Sequence, residues 1–274
     1  MASSAAAMAA ARPGRRFAGG CGLVVIATGL LLATGAIGAG TADAPVTVSA
    51  AISLTESLET VARSYAAAGG GAVLFNFAAS NVLSRQIVSG ARVDLFISAD
   101  EAQMDLTARA GAIDARTRIP LLGNRLAVVT LPGGPAVEDA RALLQPAIRR
   151  IAVGDPAAVP VGVYAREYLQ RAGLWEALRS RIVPVPNARA AIGALERGAV
   201  DAAITYETDV TARGAARVAL PIAGEHAPRI IYPAAIVAAA RNRAGAERLL
   251  SYLAGPEAAV VFARHGFTPL RPGS

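Results

Sequence analysis

The stretch Ile151-Ala-Val-Gly-Asp-Pro-Ala-Ala-Val-Pro-Val-Gly-Val-Tyr-Ala-Arg-Glu-Tyr-Leu169 decides the fold class of this chain. Ile151 to Val153 is a short apolar run of the kind that forms a buried strand. Pro156 and Pro160 punctuate the segment that follows, and a helix is expected to open near Gly162. A strand, a short loop and a helix in that order make the repeating unit of an α/β protein. What this unit offers to chemistry is its backbone. The first N–H groups of a helix have no intrahelical acceptor, and together with the helix dipole they favour an anion.

The same alternation extends in both directions. Upstream, strands are expected over residues 46–50, 72–77 and 94–98, with helices over 53–68, 81–89 and 101–110. Leu54, Leu58, Val61 and Tyr65 fall at helical spacing. A strand over 126–131 then runs into Pro132-Gly133-Gly134-Pro135, which reads as the passage out of a first lobe. Downstream, strands at 151–153, 182–185 and 202–206 alternate with helices at 162–172 and 188–197. An apolar strand over 230–238 suggests a return to the first lobe, where helices at 244–254 and 256–265 would pack. The expected architecture is two lobes, residues 45–122 with 226–274 and residues 123–225, with a ligand cleft at the carboxyl ends of the strands.

Residues 1–42 stand apart from that pattern. Arg12, Arg15 and Arg16 precede an apolar, small-residue run from Gly22 to Gly40, the layout of an export signal with cleavage between 38 and 44. The run is nearly long enough to serve instead as a membrane anchor, but small residues crowd its end. Cys21, the only cysteine, lies before the run and is expected to leave with it, so no disulfide or cysteine metal site is expected in the mature protein. Loss of this segment removes three arginines and no acid, lowering the net charge from +7 to +4. That charge gives little reason to expect a nucleic-acid partner.

Catalytic constellations are missing. His226 and His265 are the only histidines, and neither has a metal or triad context. There is no Gly-x-Ser-x-Gly, Walker A or dinucleotide fingerprint. Asp94 and Asp100 flank one strand and read as a turn residue and a helix cap. The strand-to-helix corners carry more information. Ser53 with Glu56 three residues later matches a capping box, and Ser80 opens a second helix. At Val159-Pro-Val-Gly162 no side chain can donate, so the N–H of Val161 or Gly162 must serve. Pro186-Asn187-Ala188-Arg189 makes a fourth start. Plain capping explains each corner singly. Aimed together into one cleft, they would suit a small dianion, with the serine hydroxyls and the hydroxyl of Tyr206 completing the shell. Tyr206 reads equally well as a wall residue of a cleft.

Beyond these single corners, a series of segments resembles the periplasmic molybdate-binding proteins that feed ABC-type transporters. It comprises Val46-Thr-Val-Ser-Ala-Ala-Ile-Ser-Leu-Thr55, Phe77-Ala-Ala-Ser-Asn-Val-Leu-Ser-Arg-Gln-Ile87, Asp94-Leu-Phe-Ile-Ser-Ala-Asp100 and Leu121-Leu-Gly-Asn-Arg-Leu126. It continues through Ile151-Ala-Val-Gly-Asp-Pro156, Val159-Pro-Val-Gly-Val-Tyr-Ala165, Ala203-Ile-Thr-Tyr-Glu-Thr-Asp209 and Gly255-Pro-Glu-Ala-Ala259. The resemblance covers about residues 46–270 in order. It implies the two-lobed type II binding-protein fold, closing about a hinge. It further implies that Ser53, Ser80, Val161, Ala188 and Tyr206 hold molybdate, with molybdenum present only within that oxyanion. Ile52 and Val161 stand where the family favours alanine, and Asn187-Ala188 departs from the acidic, β-branched residues common there.

The resemblance therefore implies a monomeric periplasmic protein, not an enzyme, that needs no cofactor. It would capture molybdate or tungstate and deliver it to the membrane permease of an ABC transporter. Within the same class the competing cargo is sulfate, phosphate or a small carboxylate. A carboxylate reader would carry a cleft arginine, and none occupies the matched positions. An enzyme on the same fold, or the sensor domain of a regulator, is the reading from another class. The first lacks a cleft His, Cys or acid pair, and the second does not fit an export signal.

Overall fold

The computed structural model describes residues 44–211 and 215–270. The expected export signal lies outside them. Two mixed β-sheets, each carrying helices, form the body. In chain order the first sheet takes β1 (Val46–Ala51), β2 (Val73–Ala78), β3 (Leu95–Ile97) and β4 (Ile119–Asn124). The second takes β5 (Leu126–Thr130), β6 (Ile151–Gly154), β7 (Ile182–Val185), β8 (Ala202–Tyr206) and β9 (Arg217–Pro221). The chain then returns to the first sheet with β10 (Ile230–Ile236) and β11 (Thr268–Pro269). The strand orders are β11-β4-β10-β3-β1-β2 and β7-β6-β8-β5-β9.

The chain crosses between the sheets twice, at Arg125 and between Pro221 and Ile230. In each sheet a parallel trio (β2-β1-β3 and β7-β6-β8) meets an antiparallel strand, β10 in the first and β5 in the second. Parallel neighbours require crossover helices. Here these are α1 (Thr55–Ala67) and α2 (Ser80–Val88) in the first lobe, where α3 (Glu101–Arg109) leads from β3 to β4. The second lobe uses α4 (Pro160–Arg171), the single turn α5 (Trp175–Leu178) and α6 (Ala188–Glu196), and α7 (Glu207–Thr211) leads from β8 to β9. The helices α8 (Arg243–Leu253) and α9 (Pro256–Arg264) complete the first lobe.

Strand alternation assigns the core. Leu95 and Ile97 face one side with Leu58 and Val61 of α1 and Leu249 of α8, while Phe96 faces the other with Leu83 of α2 and Met104 of α3. In the second sheet Ile151 and Val153 pack with Leu169 of α4, and Ala152 packs with Ile192 and Leu195 of α6. Both faces are covered, so these strands read as continuous apolar runs instead of alternating ones. β10 is buried along its whole length, and Pro233 is accommodated by a register shift against β4 at Tyr232/Pro233.

Three sequence expectations change. The Ser53–Glu56 capping box does not form: a 3-10 turn, Ile52–Leu54, precedes α1, and Leu54 caps it without a side-chain bond. Ser53 and Glu56 are both drawn to tertiary partners, which displace a local cap. α4 begins at Pro160, two residues before Gly162. Proline at the first helical position costs no hydrogen bond there. The edge strand β9 of the second sheet and the interior strand β4 of the first form where the sequence pattern, weakly apolar in both, predicts no strand.

Candidate functional site

The C-terminal ends of β1, β2, β3, β6, β7 and β8 converge on one cavity. Its walls are Ala51, Ile52 and Ser53 after β1, Ala78, Ala79 and Ser80 after β2, and Ala99 after β3. From the second lobe come Val159, Pro160 and Val161 before and within α4, Asn187 and Ala188 at α6, and Tyr206 at the end of β8. All five residues singled out by sequence, Ser53, Ser80, Val161, Ala188 and Tyr206, are therefore brought together. None of the wall residues carries a charge.

What these residues present is a set of hydrogen-bond donors. Ser80 is the first residue of α2, and its Oγ accepts the Ala99 N–H at 2.9 Å. With one lone pair used from behind, the hydroxyl keeps its proton for the cavity. Ser53 Oγ lies 3.1 Å from Tyr232 Oη. In the first turn of α4, Pro160 has no N–H and the Gly162 N–H goes to the Val159 carbonyl at 2.8 Å. That leaves the Val161 N–H, and not the Gly162 N–H, without an acceptor among the described residues. Gly162 has another task. A Cβ there would overlap the Gly154 carbonyl oxygen, so glycine is what lets α4 start directly on the end of β6. At α6 the Asn187 side chain caps the helix by accepting the Ala190 N–H at 2.9 Å, and the Ala188 N–H stays free of an acceptor among the described residues.

Tyr206 is fully buried, and its hydroxyl makes no hydrogen bond of good geometry, although the Tyr232 hydroxyl is nearby. The two rings meet edge to face with centroids 5.7 Å apart. A buried phenol without a partner is costly unless something else supplies an acceptor. Burial, then the neighbouring Tyr232, pushes the Tyr206 hydroxyl well above the ordinary tyrosine range, and burial does the same to Tyr232. Both remain protonated donors at any physiological pH.

Charged groups near the cavity are already engaged. Arg189, one residue past Ala188, donates from Nε to the Ile52 carbonyl at 3.0 Å and pairs with Glu56 of α1. It ties the two lobes together at the cavity edge without entering the wall. Asp100 caps α3 through the Gln103 N–H at 3.0 Å and accepts from Ser98 Oγ at 3.2 Å. Its carboxyl is held above the usual range chiefly by burial. Asp94 accepts the N–H groups of Thr47, Arg241 and Asn242 at 2.8 to 2.9 Å. Both aspartates are structural, as their sequence contexts indicated. His265 closes the end of α9, and His226 lies on an exposed loop 3.6 Å from Glu225. Among the described residues no cluster of His, Cys, Asp or Glu could hold a metal ion, and no helix is long and apolar enough to cross a membrane.

Sequence reasoning missed Tyr232, Asn124 and the Arg189–Glu56 pair. The signal for Tyr232 was a phenol in the otherwise aliphatic run Ile230–Ile236. Nothing local could have joined Arg189 to a residue 133 positions away.

Comparison with known proteins agrees with this architecture. Residues 46–268 match the family model described as bacterial extracellular solute-binding protein. The molybdate-binding protein ModA of Escherichia coli is 38% identical over 234 residues, which span 82% of this chain and 90% of that protein. Among solved structures, the periplasmic molybdate-binding protein of Azotobacter vinelandii superposes with a TM-score of 0.72 at 24% identity, covering 81% of this chain and 98% of that one. A sulfate-binding protein from Mycobacterium tuberculosis gives a TM-score of 0.73 at 19% identity, covering 83% and 88%, so the shared fold by itself does not choose the cargo. The chain belongs to the bacterial extracellular solute-binding proteins, the family of its molybdate-binding relatives.

Proposed function

We propose that this protein captures molybdate, and tungstate with it, outside the cytoplasm and delivers it to the membrane permease of an ABC transporter. The observation that carries the reading is the uncharged cavity into which Ser53, Ser80, Val161, Ala188 and Tyr206 all converge. Two hydroxyls, two free helix-start N–H groups and a buried phenol supply donors and no charge. Such a set favours a fully deprotonated oxyanion, because an O–H on the ligand would find no acceptor. The starts of α2, α4 and α6 add partial positive charge at the same point. The similarity to molybdate-binding relatives selects the cargo from among the dianions. Tungstate has the same charge and nearly the same size.

No step of catalysis is assigned to the cavity, whose wall carries no acid, base or thiol. The protein is read as a monomer that acts in the periplasm after removal of residues 1–42, with no cofactor beyond its cargo. Sulfate is the competing cargo, since it shares the tetrahedral shape but is smaller and would leave some donors unpaired.

Calorimetric titration of the purified protein with molybdate, tungstate, sulfate and phosphate at neutral pH tests the reading. One-to-one binding of the first two, with sulfate weaker by about 100-fold or more, is the expected result. Sulfate or phosphate binding as tightly as molybdate would change the cargo and keep the site.

A further inference from the structure

Behind Ser53, away from the cavity, stands a line of side chains that the ligand set does not use. Arg125 N–H donates to Asn124 Oδ1 at 2.8 Å, which fixes the Asn124 amide with its NH₂ turned the other way. That NH₂ donates to Thr208 Oγ1 at 3.0 Å and to Tyr232 Oη at 3.1 Å. Tyr232 is fully buried, and its Oη lies 3.1 Å from Ser53 Oγ. Asn124 Nδ2 can only donate and the nearby Tyr206 hydroxyl makes no hydrogen bond of good geometry, so Ser53 Oγ is the partner left to accept the phenolic proton. A serine that accepts at its oxygen from behind has its own proton left for the cavity.

We propose that Asn124 and Tyr232 are positioning residues that set the polarity of Ser53, holding its hydroxyl as a donor toward a bound oxyanion through the chain Asn124 Nδ2–H to Tyr232 Oη–H to Ser53 Oγ–H. The proposal deepens the oxyanion reading given above and rests on it. Ser80 obtains the same polarity from the Ala99 N–H. The two serines thus face the cavity alike, but one is oriented by backbone and the other by side chains that substitution can reach. Reversal of the chain would turn a lone pair of Ser53 toward the anion. With the Asn124 NH₂ pinned as a donor at the crossing from β4 to β5, reversal would require the Tyr232 proton to go to the Tyr206 hydroxyl, which makes no hydrogen bond of good geometry.

A double-substitution cycle read by titration with molybdate tests the chain. Tyr232→Phe in the wild-type background should weaken binding about 5- to 10-fold, and in a Ser53→Ala background by less than about twofold. The non-additivity is the readout, because a phenol that only supports the fold would weaken both backgrounds by the same factor. Asn124→Ala, a milder change at a half-buried position, covers the case in which Tyr232→Phe does not fold. It should weaken the wild type about threefold and leave the Ser53→Ala protein unchanged. Equal factors in the two backgrounds, or no effect in the wild type, would overturn the proposal while a molybdate-binding wild type keeps the oxyanion reading. A wild-type protein that binds none of the four oxyanions would overturn both.

Discussion

The first lobe reaches the cavity with side chains, the hydroxyls of Ser53 and Ser80, whereas the second reaches it with the backbone of Val161 and Ala188 and a single phenol. In the first lobe the identity of a residue is the donor. In the second the donor is the path of the chain, and identity matters only where it sets that path. Sensitivity to substitution should therefore fall differently on the two sides.

The largest effect is expected from the side where no ligand side chain changes. Gly162→Ala forces a Cβ into the Gly154 carbonyl and pushes α4 off the end of β6. Overpacking of this kind should cost about 3 kcal/mol of stability, read by chemical denaturation. Next come the hydroxyls. On the proposed reading, Ser53→Ala would remove a hydrogen bond to a charged ligand and should weaken molybdate binding by about 1.5–3 kcal/mol, with Tyr206→Phe similar. Full affinity in both variants would place the anion elsewhere.

A smaller effect concerns the first lobe's buried carboxyl. The Asp100 pKa is raised in the fold, so its contribution to stability is greatest at low pH and is lost as pH rises through the raised value. An asparagine at this position would keep the cap and never ionise. The stability gained by Asp100→Asn should be larger at pH 7 than at pH 4, whereas Asp100→Ala, which also removes the cap, should lose about 1 kcal/mol at pH 4 and less at pH 7. Melting curves at the two pH values decide this. Smallest of all, Val161→Ala leaves the N–H in place and should change affinity by less than about twofold, on the reasoning that no hydrogen bond is lost.

The same contrast explains what could be read from the sequence. Strand β8 was legible to the residue, and β6 and α6 to within one residue, because apolar runs between Gly, Pro and Asn boundaries leave little choice. The corners that line the cavity were visible as serine or proline at a strand-to-helix junction. Ser53 does line the cavity, but its bonding differs from the expected cap. A local motif predicted a cap, but Tyr232, 179 residues away, and Arg189 on the facing lobe hold Ser53 and Glu56 instead. Contacts of that range leave no periodic trace. β4 and β9 escaped for a related reason: Pro120, Gly123 and Asn124 break the apolar run of β4, and β9 lies at a sheet edge with partly exposed residues.

The Arg189 contacts also bear on time. The Ile52 carbonyl precedes one expected ligand and Arg189 follows another, so the bridge spans the cavity edge next to two of the donors it would have to separate. Opening the lobes would break this bridge whether or not an anion is inside. Its strength would therefore enter the rate of escape much more than the rate of arrival. How long a captured ion dwells would then be adjustable at Glu56, without touching a single group that binds it.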